Sequence, residues 1–284
     1  MRATRVAFGA ALLVALWSGA PLRAEAPKAG APRAPASARP VPMPPSKYFA
    51  FGASQYVAPQ EAKTAGLVMT PQGVAPGTKL PVVVFLHGLN ERGPLHMWLG
   101  SPGRPDLRSV FARAMQERPF VLVAPSQTIH ADDPWKLWDA LDASALVAAA
   151  ASALEGALVL DSDQIFVVAH SGGACNLHGG ALGAAISAAP ARVAGLVVLD
   201  ACFDVKTAAR YLQIPPQVPI WVRYQTDSWD RDIPGFLRAM QGRSGFDAAH
   251  AGVRGPGAHD AVLTGQLGVM LRRLPLATAP RTEP

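Results

Sequence analysis

From residue 48 onward, short runs of apolar and β-branched residues alternate with longer Ala-rich or amphipathic stretches, and this alternation constrains the fold more than any other feature. The runs are GLVMT (66–70), PVVVFLH (81–87), FVLVAP (120–125), QIFVVAH (164–170), AGLVVLD (194–200) and PIWVRYQ (219–225). Most are continuously apolar, the pattern of strands covered on both faces, as in a parallel sheet. Between them lie SVFARAMQER (109–118), SALVAAAASALEGAL (144–158), a helix expected to start near Gly172, DIPGFLRAMQG (232–242) and AVLTGQLGVMLRRL (261–274). The spacing predicts an α/β fold: a mostly parallel, twisted sheet with helices on both faces, formed as one domain by residues 48–284. YFAFGASQYVAP (48–59) is expected to add an antiparallel edge beside 66–70.

The residues ahead of this domain follow other rules. Residues 1–24 begin with Arg2 and Arg5, continue through an apolar stretch from Val6 to Trp17, and end in small residues. That stretch is shorter than the ~20 residues needed to span a bilayer. It is the pattern of a cleavable secretory signal ending at Ala24, which implies a secreted or periplasmic protein with no stable membrane anchor. Residues 25–47 are rich in Pro and Ala and read as an extended linker, because proline blocks both helix and interior strand.

The formal net charge of +6 and a pI near 9.7 suggest an anionic partner until the charges are located. Arg2, Arg5, Arg23, Lys28, Arg33, Arg39 and Lys47 all lie in the signal and linker, opposed there by Glu25 alone. Residues 48–284 keep 19 basic and 19 acidic residues. Nucleic acid is therefore not an expected partner.

The segment IFVVAHSGGACN (165–176) carries the chemistry. A buried strand ends at His170, Ser171 follows, and Gly172 and Gly173 lead onward. Small residues stand two before the serine (Ala169) and two after it (Gly173), as a sharp strand-to-helix turn demands on steric grounds. Such a turn lifts the hydroxyl above the carboxyl ends of the strands, where open α/β sheets form their sites. It also aims the Gly172 N–H into the space above the serine.

In these residues the chain resembles the α/β-hydrolase superfamily, whose nucleophile elbow is Gly-x-Ser-x-Gly; here Ala169 replaces the first glycine. FLHGLNERG (85–93) is similar to the superfamily's His-Gly oxyanion loop. GLVMTPQGVAPGTKLPVVVFLHG (66–88) and LVLDSDQIFVVAHSGG (158–173) resemble its secreted esterase-like members. The resemblance implies the α/β-hydrolase fold, a cofactor-free serine hydrolase, and the Leu89 and Gly172 amides as oxyanion donors. It implies His87 as a brace for its loop.

A serine hydroxyl needs an imidazole base, itself held by a carboxylate. His170, beside the serine on a strand, points to the opposite face, and His178 falls on the expected next helix. The superfamily places its base last, which selects His259 in GPGAHDAVL, expected on a loop just before the terminal helix. The acid is open. Asp227, the first carboxylate after PIWVRYQ, holds the superfamily's usual position. Asp200, ending the preceding strand, is the position some lipases of the fold use, and Asp230 is a third choice.

Trp135 and Trp138 stand where they could wall a substrate subsite or pack at i, i+3 spacing. Cys175 and Cys202 both fall near the carboxyl edge of the sheet, where they are either a disulfide, which an oxidising compartment permits, or two buried thiols. No His or Cys spacing indicates a metal site. The expected function is cleavage of a carboxylic ester, small or polymeric, through an acyl-enzyme on Ser171. The alternatives are amidase, peptidase or acyltransferase chemistry on the same residues, or a binding protein that has kept the fold without activity. Oligomeric state is not readable from the sequence.

Overall fold

The computed structural model describes residues 42–51, 62–89, 106–127, 138–139, 141–187, 193–227 and 231–276. The expected signal, most of the linker, Trp135 and Asp230 lie outside them. Eight strands form one sheet: β1 (Ser46–Phe49), β2 (Gly66–Met69), β3 (Lys79–Leu86), β4 (Val121–Pro125), β5 (Val159–His170), β6 (Val193–Leu199), β7 (Ile220–Tyr224) and β8 (Phe246–His250). Their spatial order is β1-β2-β4-β3-β5-β6-β7-β8. β1 and β2 pair antiparallel, as does β2 with β4; the remaining pairs are parallel. The sheet begins earlier than the sequence pattern indicates. Ser46 and Lys47, read as the end of the linker, belong to β1, and Lys47 pairs with Glu155 at 2.6 Å.

Strand residues alternate between two cores because successive side chains point to opposite faces. Val82, Val84, Val167, Ala169, Leu196 and Val198 belong to one core, together with α2 (Ala143–Ala153), α3 (Gly180–Ser187), α4 (Val205–Tyr211) and α5 (Ile233–Ala239). Val83, Phe85, Phe166, Val168, Val197 and Leu199 belong to the other, under α1 (Arg108–Glu117) and α6 (Ala258–Arg273). Burial on both faces explains why the central strands read as continuous apolar runs.

Two elements depart from expectation. Beyond Ser171 the chain makes one 3-10 turn, Ser171–Ala174, and enters α3 only at Gly180. The intervening residues are held by Asn176, whose Oδ1 accepts from the amides of His178 (2.8 Å) and Gly179 (2.9 Å). His178 therefore precedes the helix on which it was expected. α2 stops at Ala153, where Glu155 and Gly156 both turn into the left-handed region.

Candidate active site

The carboxyl ends of β3, β5 and β6 lie side by side, and each delivers one part of the site. Ser171 follows β5 with φ +54°, a left-handed conformation that costs a non-glycine residue about 1–3 kcal/mol. Such strain is the mark of a sharp turn that aims a hydroxyl. The turn is wedged against the loop after β3. A Cβ on Gly173 would sit 2.7 Å from the Leu86 carbonyl oxygen, and one on Gly88 would sit 2.6 Å from Ser171 Cβ. Only glycine permits backbone at both contacts.

The loop carrying Gly88 and Leu89 is braced from behind. His87 is buried and accepts from the Gln127 amide through Nε2 at 2.9 Å, so its proton is on Nδ1, which donates to the Gly88 carbonyl at 2.6 Å. Trp138 packs edge-on against that imidazole and donates from its indole N–H to the His87 carbonyl at 3.1 Å. Its own carbonyl accepts from Gly180 N–H at 2.9 Å, tying the loop to α3. Trp138 is 2% exposed. This corrects the substrate-wall reading of Trp138: the side chain is spent on the core and cannot face a bound molecule.

His259 lies in the first turn of α6, not on the loop before it. Its Nδ1 donates to Asp200 Oδ2 at 2.6 Å. That bond leaves Nε2 as the lone-pair nitrogen on the other side of the ring. The imidazole lies against the His170 ring, with centroids 4.5 Å apart, and His170 Nε2–H points to the His259 carbonyl at 3.4 Å. His170 does face away from the first core, as strand geometry requires. The opposite face is the one α6 covers, so His170 meets the base there. Burial and the neighbouring His259 push His170 down to about 3, which keeps its ring neutral.

The carboxylate bonded to His259 is Asp200, and this corrects the choice of Asp227. Asp200 follows β6, which is adjacent to β5, and has φ +49°. Two groups that follow β7 bind Asp200: Gln225 Nε2 donates to Oδ2 at 2.9 Å, and Arg231 Nη1 donates to Oδ1 at 2.7 Å. Burial alone would raise the Asp200 carboxyl. The hydrogen bonds from His259, Arg231 and Gln225, with the Arg231 charge, outweigh it and hold the group at about 2. Asp227 is exposed and accepts the Gly255 amide through Oδ2 at 2.9 Å, while its own amide donates to Gln225 Oε1 at 2.6 Å. It reaches His259 only through Gln225 and Asp200, three hydrogen bonds away, and fastens the loop that leads to α6.

Cys175 and Cys202 are bonded to each other, with Cα atoms 5.0 Å apart. The bridge joins the end of the nucleophile turn to the residues just after Asp200. Arg231 and Gln225 were not anticipated by the sequence reading. Neither sits in a motif, and their role depends on where β7 ends beside β6.

No family model and no curated protein matches the chain by sequence. Solved structures do match in three dimensions. A feruloyl esterase module from Clostridium thermocellum, solved as an S954A mutant with sinapinate, aligns with TM-score 0.55 and 10% identity, over 86% of this chain and 93% of that one. S-formylglutathione hydrolase from Staphylococcus aureus aligns with TM-score 0.52 and 13% identity, over 81% and 97%. A thermostable esterase aligns with TM-score 0.50 and 20% identity, over 73% of this chain and 58% of that one. The chain has the α/β-hydrolase fold. At its sheet edge Ser171 stands on the turn after β5 and His259 is bonded to Asp200. Among the described residues no helix is long and apolar enough to cross a membrane.

Proposed function

We propose that this protein cleaves a carboxylic ester through an acyl-enzyme on Ser171, with His259 as base and Asp200 as acid. The observation that carries the reading is the 2.6 Å bond from His259 Nδ1 to a buried, ionised Asp200, on the same sheet edge as a serine held at φ +54°. That bond fixes the tautomer and leaves Nε2 to act as base. His259 Nε2 takes the Ser171 proton as Oγ bonds to the substrate carbonyl carbon, and the carbonyl oxygen becomes an oxyanion. The amides of Leu89 and Gly172 are its donors. The intermediate collapses, the carbon–oxygen bond to the alcohol breaks, and the imidazolium returns its proton to the departing alkoxide. Water then repeats the sequence on the acyl-enzyme, giving the carboxylic acid and free Ser171.

An ester, as opposed to an amide, is supported by the esterase names among the structural neighbours together with the secreted esterase-like motifs at 85–93 and 158–173. An exported protein, cut after Ala24, is supported by the character of residues 1–24 and by a disulfide suited to an oxidising compartment. Labelling with a fluorophosphonate probe, followed by peptide mapping, tests the nucleophile. Ser171 is expected to carry the adduct, and Ser171→Ala is expected to lose both label and p-nitrophenyl acetate turnover while keeping its circular dichroism. Unchanged turnover in that variant would refute the assignment. The mass of the mature protein, starting at Glu25, tests export.

A further inference from the structure

The carboxylate behind His259 is shared. Five N–H groups converge on Asp200: Oδ1 accepts from Arg231 Nη1 (2.7 Å) and the Gln225 amide (3.2 Å), and Oδ2 from His259 Nδ1 (2.6 Å), Gln225 Nε2 (2.9 Å) and Arg231 Nη2 (3.3 Å). Asp200 is fully buried and the Arg231 side chain is 5% exposed. A catalytic triad needs one donor from its base, and a backbone amide with a glutamine would satisfy the rest of the carboxylate. A buried guanidinium beside it exceeds what holding the carboxylate requires, and burying a full charge there is costly unless it is tightly paired.

We propose that Arg231 is a positioning residue of this site: its two-pronged grip orients Asp200 toward His259, and its charge offsets that of the carboxylate, extending activity to lower pH. The proposal rests on the serine-hydrolase reading given above. The physical reason is electrostatic. An isolated carboxylate stabilises the imidazolium strongly and keeps the base protonated, hence idle, at mildly acid pH. Paired with Arg231, the Asp200 carboxylate presents less net negative charge to the His259 ring. Among the described residues, the other groups around the cluster do not replace this charge. Gln225 is neutral, and burial keeps His170 neutral against the His259 ring. His87 stands behind the Gly88 loop with its Nε2 accepting from Gln127. The Asp227 carboxylate is turned to Gly255, and Arg223 meets Asp200 through its backbone carbonyl while its guanidinium binds Asp247.

The grip and the charge can be separated. Arg231→Gln removes the charge, and Arg231→Lys keeps the charge but loses the fork. With p-nitrophenyl acetate between pH 4 and 9, the acid limb of kcat/KM in Arg231→Gln is expected to move up by about one pH unit. In Arg231→Lys the limb is expected to stay with wild type while plateau kcat falls about tenfold and KM holds. A second readout is the downfield proton resonance of the His259 Nδ1–H, expected sharp in wild type and broadened in both variants as the carboxylate loses its fixed orientation. Coincident acid limbs for Arg231→Gln and wild type would overturn the electrostatic role. A wild-type plateau and resonance in Arg231→Lys would overturn the positioning role, and this variant decides that point if Arg231→Gln does not fold. A wild-type protein that neither turns over ester nor takes the fluorophosphonate removes the hydrolase reading and the pH role with it. The resonance would still decide whether Arg231 positions Asp200.

Discussion

Around Ser171 the site is assembled from backbone, whereas around Asp200 it is assembled from charged and polar side chains drawn from separate elements. On the serine side, glycines at 88 and 173 let two chain segments touch with no side chain between them, and His87 and Trp138 brace the loop from behind. On the acid side, Asp200, Gln225, Arg231 and His259 come from the ends of β6 and β7, the approach to α5 and the start of α6. Backbone packing is stiff and fails abruptly when volume is added. A polar network tolerates small changes and fails when charge is unbalanced. The disulfide Cys175–Cys202 links the two sides.

This contrast can be broken first at its acid end. Asp200→Asn is expected to lower kcat by about 10^3- to 10^4-fold, because the amide would present the wrong partner to His259 Nδ1. Steady-state kinetics at pH 8, with circular dichroism to confirm folding, checks this. On the serine side, Gly88→Ala places a methyl group 2.6 Å from Ser171 Cβ. A displaced hydroxyl is expected to cost about 10^2-fold in kcat and in fluorophosphonate labelling rate. A variant that labels at the wild-type rate would mean the loop yields freely. Between the two sides, Cys175→Ser/Cys202→Ser opens a loop of sequence separation 27 and is expected to lose about 3 kcal/mol of stability, read from urea denaturation. The smallest effect is expected from Asp227→Asn. That carboxylate is exposed and bonded to the Gly255 amide, so its loss is expected to change kcat less than about threefold and to leave the urea midpoint close to wild type. A collapse of activity in Asp227→Asn, with Asp200→Asn active, would reverse the choice of acid.

The serine side was legible in the sequence because its requirements are local. A buried strand, a serine flanked by small residues and a His-Gly loop each announce themselves within a few positions, since steric limits on a tight turn act between sequence neighbours. The length of the following helix was less legible. Gly172, Gly173 and Ala174 suit a helix start as well as a 3-10 turn, and the interruption at Asn176-Leu177-His178-Gly179 gains its meaning only from the hydrogen bonds that Asn176 accepts there. His259 was identified by its place near the chain's end, though not its position inside α6. The acid was misassigned because Asp200 and Asp227 both follow apolar strands at equivalent points. What separates them is which strand end Gln225 and Arg231 occupy.

By itself the sequence determined the layered α/β architecture, the positions of six of the eight strands, the sharp turn at Ser171 and the histidine, His259, that meets an aspartate, because periodicity, small-residue spacing and chain order act over short distances or through the order of elements. Only the tertiary structure decided that Asp200 faces His259, that Arg231 shares the carboxylate, that Trp138 is a buried brace and that the two cysteines bond. Each of these depends on side chains separated by tens of residues meeting at one edge of the sheet, where charge balance and burial select the partner and no local pattern records the outcome.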